Sequence, residues 1–123
     1  MVNTTLRVID LTHCDIDNTQ CEFLGGALKG NTTLCKMVLC NNSIDSEGAV
    51  LLAGALTVNA TLQHLDLSRN MIGNKGAEYL AAAIKVNQSL SEVKFCGNKI
   101  SNKGVESFVD ASMVNKILKN VRL

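Results

Sequence analysis

Leu6, Leu34, Leu62, Leu90 and Leu118 follow one another at intervals of 28 residues without slippage. The same interval joins Asn3, Asn31, Asn59, Asn87 and Asn115, and it joins Ile16, Ile44, Ile72 and Ile100, and Gly48, Gly76 and Gly104. A fixed period of this length marks a stacked array, in which each unit hides its apolar surface only against its neighbours. Nine residues read from each leading Leu give LRVIDLTHC, LCKMVLCNN, LQHLDLSRN and LSEVKFCGN, and then LKNVRL inside a fifth copy.

Two periodicities divide each unit. Positions four and six of the nonapeptide are apolar (Ile9 and Leu11, Met37 and Leu39, Leu65 and Leu67, Val93 and Phe95, Val121 and Leu123), which is the period of a short strand. About ten residues later come Cys21, Leu24, Ala27 and Leu28, then Ala49, Leu52, Ala55 and Leu56, then Ala77, Leu80, Ala83 and Ile84. Only a helix places that spacing on one side. A lone strand and helix cannot cover both apolar faces, so stacked copies give every strand a parallel neighbour and every helix a layer to pack on.

The polar repeat positions carry their own expectations. Asn42, Asn70 and Asn98, with Cys14 at the same place in the first copy, are expected inside the coil, where an amide can bond loop backbone of its own and neighbouring units. Asn31, Asn59, Asn87 and Asn115 follow the helices, a position expected to close the last turn in left-handed backbone. Gly48, Gly76 and Gly104 mark the helix entry as a place of close approach, and Gln20 stands there in the first copy.

These residues resemble the ribonuclease-inhibitor-like class of leucine-rich repeat, L-x-x-L-x-L-x-x-N-x-I followed by a Gly and an amphipathic helix. The resemblance covers nearly the whole chain. It implies an α/β fold, a right-handed solenoid shaped as a horseshoe segment, with a parallel sheet on the concave face and helices on the convex face. The chain reads as a single domain over 1–123, with repeats from near 6, 34, 62 and 90 and a partial fifth from 118. Neither end shows a polar capping unit, so the sequence reads as a piece of a longer array. Copy four departs from the pattern, with Ser112 where Leu28, Leu56 and Ile84 stand and Asp110 beside it, so looser packing is expected there.

Composition narrows the function. Twelve basic and eleven acidic residues give a formal charge of +1, and the lysines lack aromatic interleaving, which argues against nucleic acid or an anionic membrane as partner. No apolar stretch is long enough to span a bilayer, and the opening Met1-Val2-Asn3-Thr4-Thr5 lacks the basic and apolar regions of a secretory leader. Five cysteines, at Cys14, Cys21, Cys35, Cys40 and Cys96, form no CxxC pair, which fits reduced thiols in the cytoplasm. N-x-[ST] sequences occur at Asn3, Asn31, Asn41, Asn59 and Asn87, but four share one repeat position and read as coincidences of the repeat. The glycines match no phosphate-loop pattern, and no cofactor motif is present.

The third, fifth and seventh residues of each nonapeptide are expected to project from the sheet into the concave face. They form three columns: Val8, Lys36, His64, Glu92 and Asn120; Asp10, Val38, Asp66, Lys94 and Arg122; Thr12, Cys40, Ser68 and Cys96. Adjacent strands stand about 4.8 Å apart, so column members touch, and Asp66 is expected to pair with Lys94. A Cys40 and His64 dyad fails on geometry, because four residues along the strand separate them by roughly 13 Å. A metal site of His13, Cys14 and Cys40 fails because Cys14 is expected to point inward. The expected function is therefore binding of another protein through Asp10, Thr12, Lys36, Val38, Cys40, His64, Asp66, Ser68, Glu92, Lys94 and Cys96, rather than catalysis. Two alternatives follow from the class and the open ends: a regulatory repeat region of the Ran GTPase-activating or NOD-like-receptor type, and end-to-end stacking into homo-oligomers.

Overall fold

Each 28-residue unit resolves into a three-residue strand and one helix. A computed structural model describes residues 3–123; Met1 and Val2, the first residues of the stretch read above for a leader, lie outside the described residues. The elements run β1 (Val8–Asp10), α1 (Asn18–Gly30), β2 (Lys36–Val38), α2 (Ser46–Leu56), β3 (His64–Asp66), α3 (Gly73–Val86), β4 (Glu92–Lys94), α4 (Asn102–Val114) and β5 (Asn120–Arg122). All pairings are parallel, in the order β1-β2-β3-β4-β5, and each residue faces its counterpart one repeat on, as in Ile9 to Met37 to Leu65 to Val93 to Val121. The sheet lines the concave side of the coil and the helices form the convex side. Among the described residues, no helix is long and apolar enough to cross a membrane.

The core is a set of rungs. Leu34, Leu62 and Leu90 are buried one above another, as are Met37, Leu65 and Val93, and Leu39, Leu67 and Phe95. Leu28, Leu56 and Ile84 close the helical side. Each such side chain contributes about 1.5–3 kcal/mol by leaving water, and the sum accrues only when a neighbouring coil is present. The outermost coils show the converse: Leu6 is exposed and Ala27, expected on the buried stripe, is also exposed, because α1 packs on one helix rather than two. Ser112 and Asp110 are exposed too, so the fourth helix is held mainly by Ala111 and by Phe108, which stacks on Phe95 with ring centroids 4.5 Å apart.

Two asparagine ladders stitch the coils. In the first, Asn70 donates from Nδ2 to the carbonyls of Leu39 (2.9 Å) and Leu67 (3.0 Å) and accepts the Ile44 N–H (3.1 Å), with Asn42 and Asn98 repeating the pattern. Cys14 departs from its expected inward position: it is exposed, and its N–H instead donates to Asn42 Oδ1 at 3.0 Å. Among the described residues no coil lies on its outer side to enclose the thiol.

The second ladder corrects the reading of the helix ends. Asn31, Asn87 and Asn115 are extended, at φ −80°, −67° and −74°, not left-handed. Each instead folds its side chain over the following turn. Asn87 Oδ1 accepts the N–H groups of Ser89 (2.8 Å) and Leu90 (2.7 Å), while Nδ2 reaches the Leu56 (2.8 Å) and Asn59 (3.1 Å) carbonyls of the preceding coil. A left-handed residue there would turn the chain away from the sheet, whereas the amide supplies partners and keeps the path straight.

At the helix entry, a Cβ built on Gly76 would lie 2.5 Å from Ile72 Cγ2 and 3.0 Å from Ala49 Cβ, so the expected close approach is present. In the first coil Gln20 takes a different role: its Oε1 accepts the Asp17 N–H while Asp17 accepts the Thr19 N–H, which caps α1.

Candidate functional site

Strand pleating and the 28-residue register place the concave columns as expected. Val8, Lys36, His64, Glu92 and Asn120 stand in register across the five strands, and Asp10, Val38, Asp66, Lys94 and Arg122 form the second row. Thr12, Cys40, Ser68 and Cys96 follow where the strands give way to loops. Asp10, Lys36, Val38, His64, Asp66, Glu92 and Lys94 surround one shallow depression of about 240 Å³ whose floor is Met37 and Leu65.

Within this face the charges pair differently from the expectation. Asp66 and Lys94 are cross-strand neighbours, yet the Lys94 ammonium closes on Glu92 Oε1 of its own strand at 3.6 Å. Asp66 instead turns toward its loop and accepts the Ser68 N–H at 2.9 Å. A carboxylate two residues before a turn has backbone N–H groups within reach at little entropic cost, whereas a long lysine must be immobilised to meet it. Asp10 does the same, accepting both the hydroxyl (2.6 Å) and the N–H (3.0 Å) of Thr12. Those bonds, with a smaller effect of Lys36, hold its carboxyl below the usual value against the opposing effect of partial desolvation.

Glu92 is the centre of the charged group. Asn120 Nδ2 donates to its Oε2 at 3.1 Å, and His64 Nδ1 lies 3.9 Å from Oε1. The Asn120 bond first, then Lys94, His64 and Arg122, draw its carboxyl below the ordinary range. A carboxylate so held stays ionised at neutral pH and presents an acceptor beside the Lys94 ammonium. Cys40 takes no part: its Sγ accepts from Asn41 Nδ2 at 3.3 Å. Among the described residues no group of His, Cys, Asp or Glu has metal-binding geometry.

Sequence reasoning passed over the rim of the face. The eighth residue of each nonapeptide, His13, Asn41, Arg69 and Gly97, has φ between +56° and +73° and turns the chain out of the sheet. Arg69 lies across Gly97, where a Cβ would stand 3.4 Å from Arg69 Cγ, so the guanidinium stem is carried beside the fourth coil. The signal was a column of four residues at one repeat position. The sequon reading is settled by burial at two positions: Asn59 and Asn87 are buried, and their amide nitrogens are spent on the second ladder.

A family model described as leucine-rich repeat matches residues 2–21, 58–81 and 86–109. The chain is similar to the solved structure of leiomodin-1 actin-binding site 2, with a TM-score of 0.87 and 25% identity, covering 94% of this chain and 68% of that one. It also matches the C-terminal domain of tropomodulin from Caenorhabditis elegans, with a TM-score of 0.89 and 19% identity, covering 99% of this chain and 75% of that one. The curated proteins give no match.

Proposed function

The chain belongs to the leucine-rich repeat family, and from that membership we propose that it is a single repeat domain whose concave sheet docks a partner protein. The observation that carries this reading is the group of side chains around Glu92, held by the Lys94 ion pair and the Asn120 hydrogen bond on a backbone whose strands stand in register. A surface held in place before contact loses little freedom on binding, which favours recognition over chemistry. The face carries no Trp, Tyr or Phe, so its affinity rests on charge matching and is modest for this segment alone.

The leiomodin-1 structure this chain resembles is an actin-binding site, which makes actin the first partner to test. Sedimentation with filamentous actin and anisotropy with monomeric actin compare wild type with the double variant Glu92→Lys, Lys94→Glu. The swap retains an internal ion pair while inverting the surface pattern, so the fold is expected to persist and affinity to fall about tenfold. Full affinity in the variant, with an unchanged unfolding curve, removes the concave face from the reading. Absence of wild-type binding removes actin.

A further inference from the structure

The chain has four aromatic residues and no Trp. Phe95 and Phe108 are stacked in the core. The other two, Phe23 and Tyr79, stand on the outer surface of α1 and α3 at the same repeat position, with Leu51 of α2 between them at the 28-residue step. Their exposures of 75%, 39% and 47% are high for large apolar side chains in register on three packed helices. Scattered exposed apolar residues are ordinary; an aligned row is not.

A second row runs parallel to it. Val58 and Val86, seven residues after Leu51 and Tyr79, are exposed at 61% and 57%. Between the rows lie Gly26, Gly54 and Ala82, and a Cβ added at Gly26 or Gly54 would meet nothing within 4 Å. Along α3 the seven residues from Tyr79 to Val86 rise about 10.5 Å, which matches the 10–12 Å width of an α-helix with its side chains. The outer surface is thus a trough with a low floor, its first ridge crossing α1, α2 and α3 and its second standing at the C-terminal ends of α2 and α3, since Gly30 takes that place on α1. Val50, Leu51 and Tyr79 also wall a cleft of about 360 Å³ that opens beside the first ridge.

We infer that this trough is a second docking surface, and that it takes an amphipathic helix of a partner protein with an acidic edge. The shape argues for a helix: neighbouring helices pack about 8–10 Å apart, and a helix laid across them repeats its apolar side chains every seven residues, about 10.5 Å, one for each helix crossed. The charge argues for the acidic edge. Lys29 and Lys85, in the last turns of α1 and α3, border the valine side, and neither is in an ion pair among the described residues. Carboxylates on the partner would meet two free ammonium groups there.

The test uses an 18-residue helix-forming peptide with Leu on one face and Glu along one edge, free of Tyr and Trp. Tyr79 is the protein's sole tyrosine, so its emission reports on the trough itself. Saturable change in that emission, with a Kd of about 10–100 μM, is the expected result. Gly54→Leu fills the floor and is expected to weaken binding at least tenfold while leaving the unfolding midpoint unchanged or higher; Phe23→Ser should weaken it with little effect on stability. A peptide with Lys in place of Glu should bind at least tenfold more weakly. The concave variant Glu92→Lys, Lys94→Glu should bind the peptide normally, which separates this surface from the concave one. No response up to about 1 mM peptide, equal binding by Gly54→Leu, or equal binding by the Lys-edged peptide overturns the inference. So does a concentration-dependent dimer abolished by Gly54→Leu, which would make a second copy of the chain the occupant.

Discussion

Asn98 reaches back one coil to Leu67, donating from its side-chain amide to the Leu67 carbonyl at 2.7 Å. The same amide donates to Phe95 O at 2.9 Å, and its oxygen accepts the Ile72 N–H at 3.3 Å. Replacing Asn98 with Leu leaves the Phe95 carbonyl and the Ile72 N–H without partners in a site only 1% exposed, while the Leu67 carbonyl keeps its bond from Asn70. A loss of about 2–4 kcal/mol is expected, read as a lower urea midpoint with unchanged slope. Asp at this position should fail as well, because a carboxylate cannot donate.

Gly76 and Gly54 should respond in opposite directions to the same substitution. At Gly76 an added methyl collides with Ile72 and Ala49, so Gly76→Ala is expected to cost about 1–3 kcal/mol as α2 and α3 are forced apart. At Gly54, inside α2 with open space around it, Ala should stabilise by about 0.5–1 kcal/mol through helix propensity. Thermal unfolding of both variants checks the pair; equal effects would contradict the packing described for Gly76.

Asp45 caps α2, accepting the N–H groups of Glu47 (2.8 Å) and Gly48 (3.4 Å). A hydrogen bond from Asn18, and then those two N–H groups, lower its carboxyl below the ordinary 3.8. Its folded pKa being depressed, the cap's stabilisation is present above that ordinary value and is lost as pH falls through the lower folded value. Asp45→Ala should therefore cost about 1 kcal/mol at pH 7. The gap between variant and wild type should narrow at pH values below about 4 in urea titrations.

Cys21 is fully buried, and its thiol is pushed up to about 12, first by burial and then by Asp17 and Asp45. Cys14 and Cys96 are exposed. Iodoacetamide at pH 8 followed by peptide mass mapping should label Cys14 and Cys96 first and leave Cys21 unmodified until the chain unfolds, its thiolate being suppressed about a thousandfold. Early labelling of Cys21 would contradict the packing of α1 on α2.

The skeleton was legible because Leu34, Leu62 and Leu90 repeat one local environment, and repetition converts a weak pattern into register. Asn42, Asn70 and Asn98 were legible for the same reason. The concave columns followed from pleating alone. What the pattern did not encode was choice among several partners within reach: Lys94 sits beside Asp66 in register but closes on Glu92, since side-chain torsions and a competing Ser68 N–H decide the contact. Asn31 and its counterparts were placed correctly at the helix ends, yet their backbone was misread because the side chain, not a left-handed turn, supplies the closure. The row of Phe23, Leu51 and Tyr79 was visible at the same 28-residue step. It was passed over because apolar residues were sought on the stripe each helix turns toward the sheet.

The two ladders also set a rule for how such a chain can change length. Asn98 now bonds the Leu67 carbonyl, and Asn70 bonds the Leu39 carbonyl in the same way; Asn115 bonds Ile84 O and Asn87 bonds Leu56 O likewise. If residues 62–89 were excised and Thr61 joined to Leu90, Asn98 would inherit the Leu39 carbonyl and Asn115 the Leu56 carbonyl, and every donor would keep an acceptor of the same kind. Loss or duplication in whole units preserves the bonding, whereas a cut of any other size strands polar groups in a dry interior. Evolution by unit copying is thereby chemically cheap for this architecture, and evolution by small internal deletion is not.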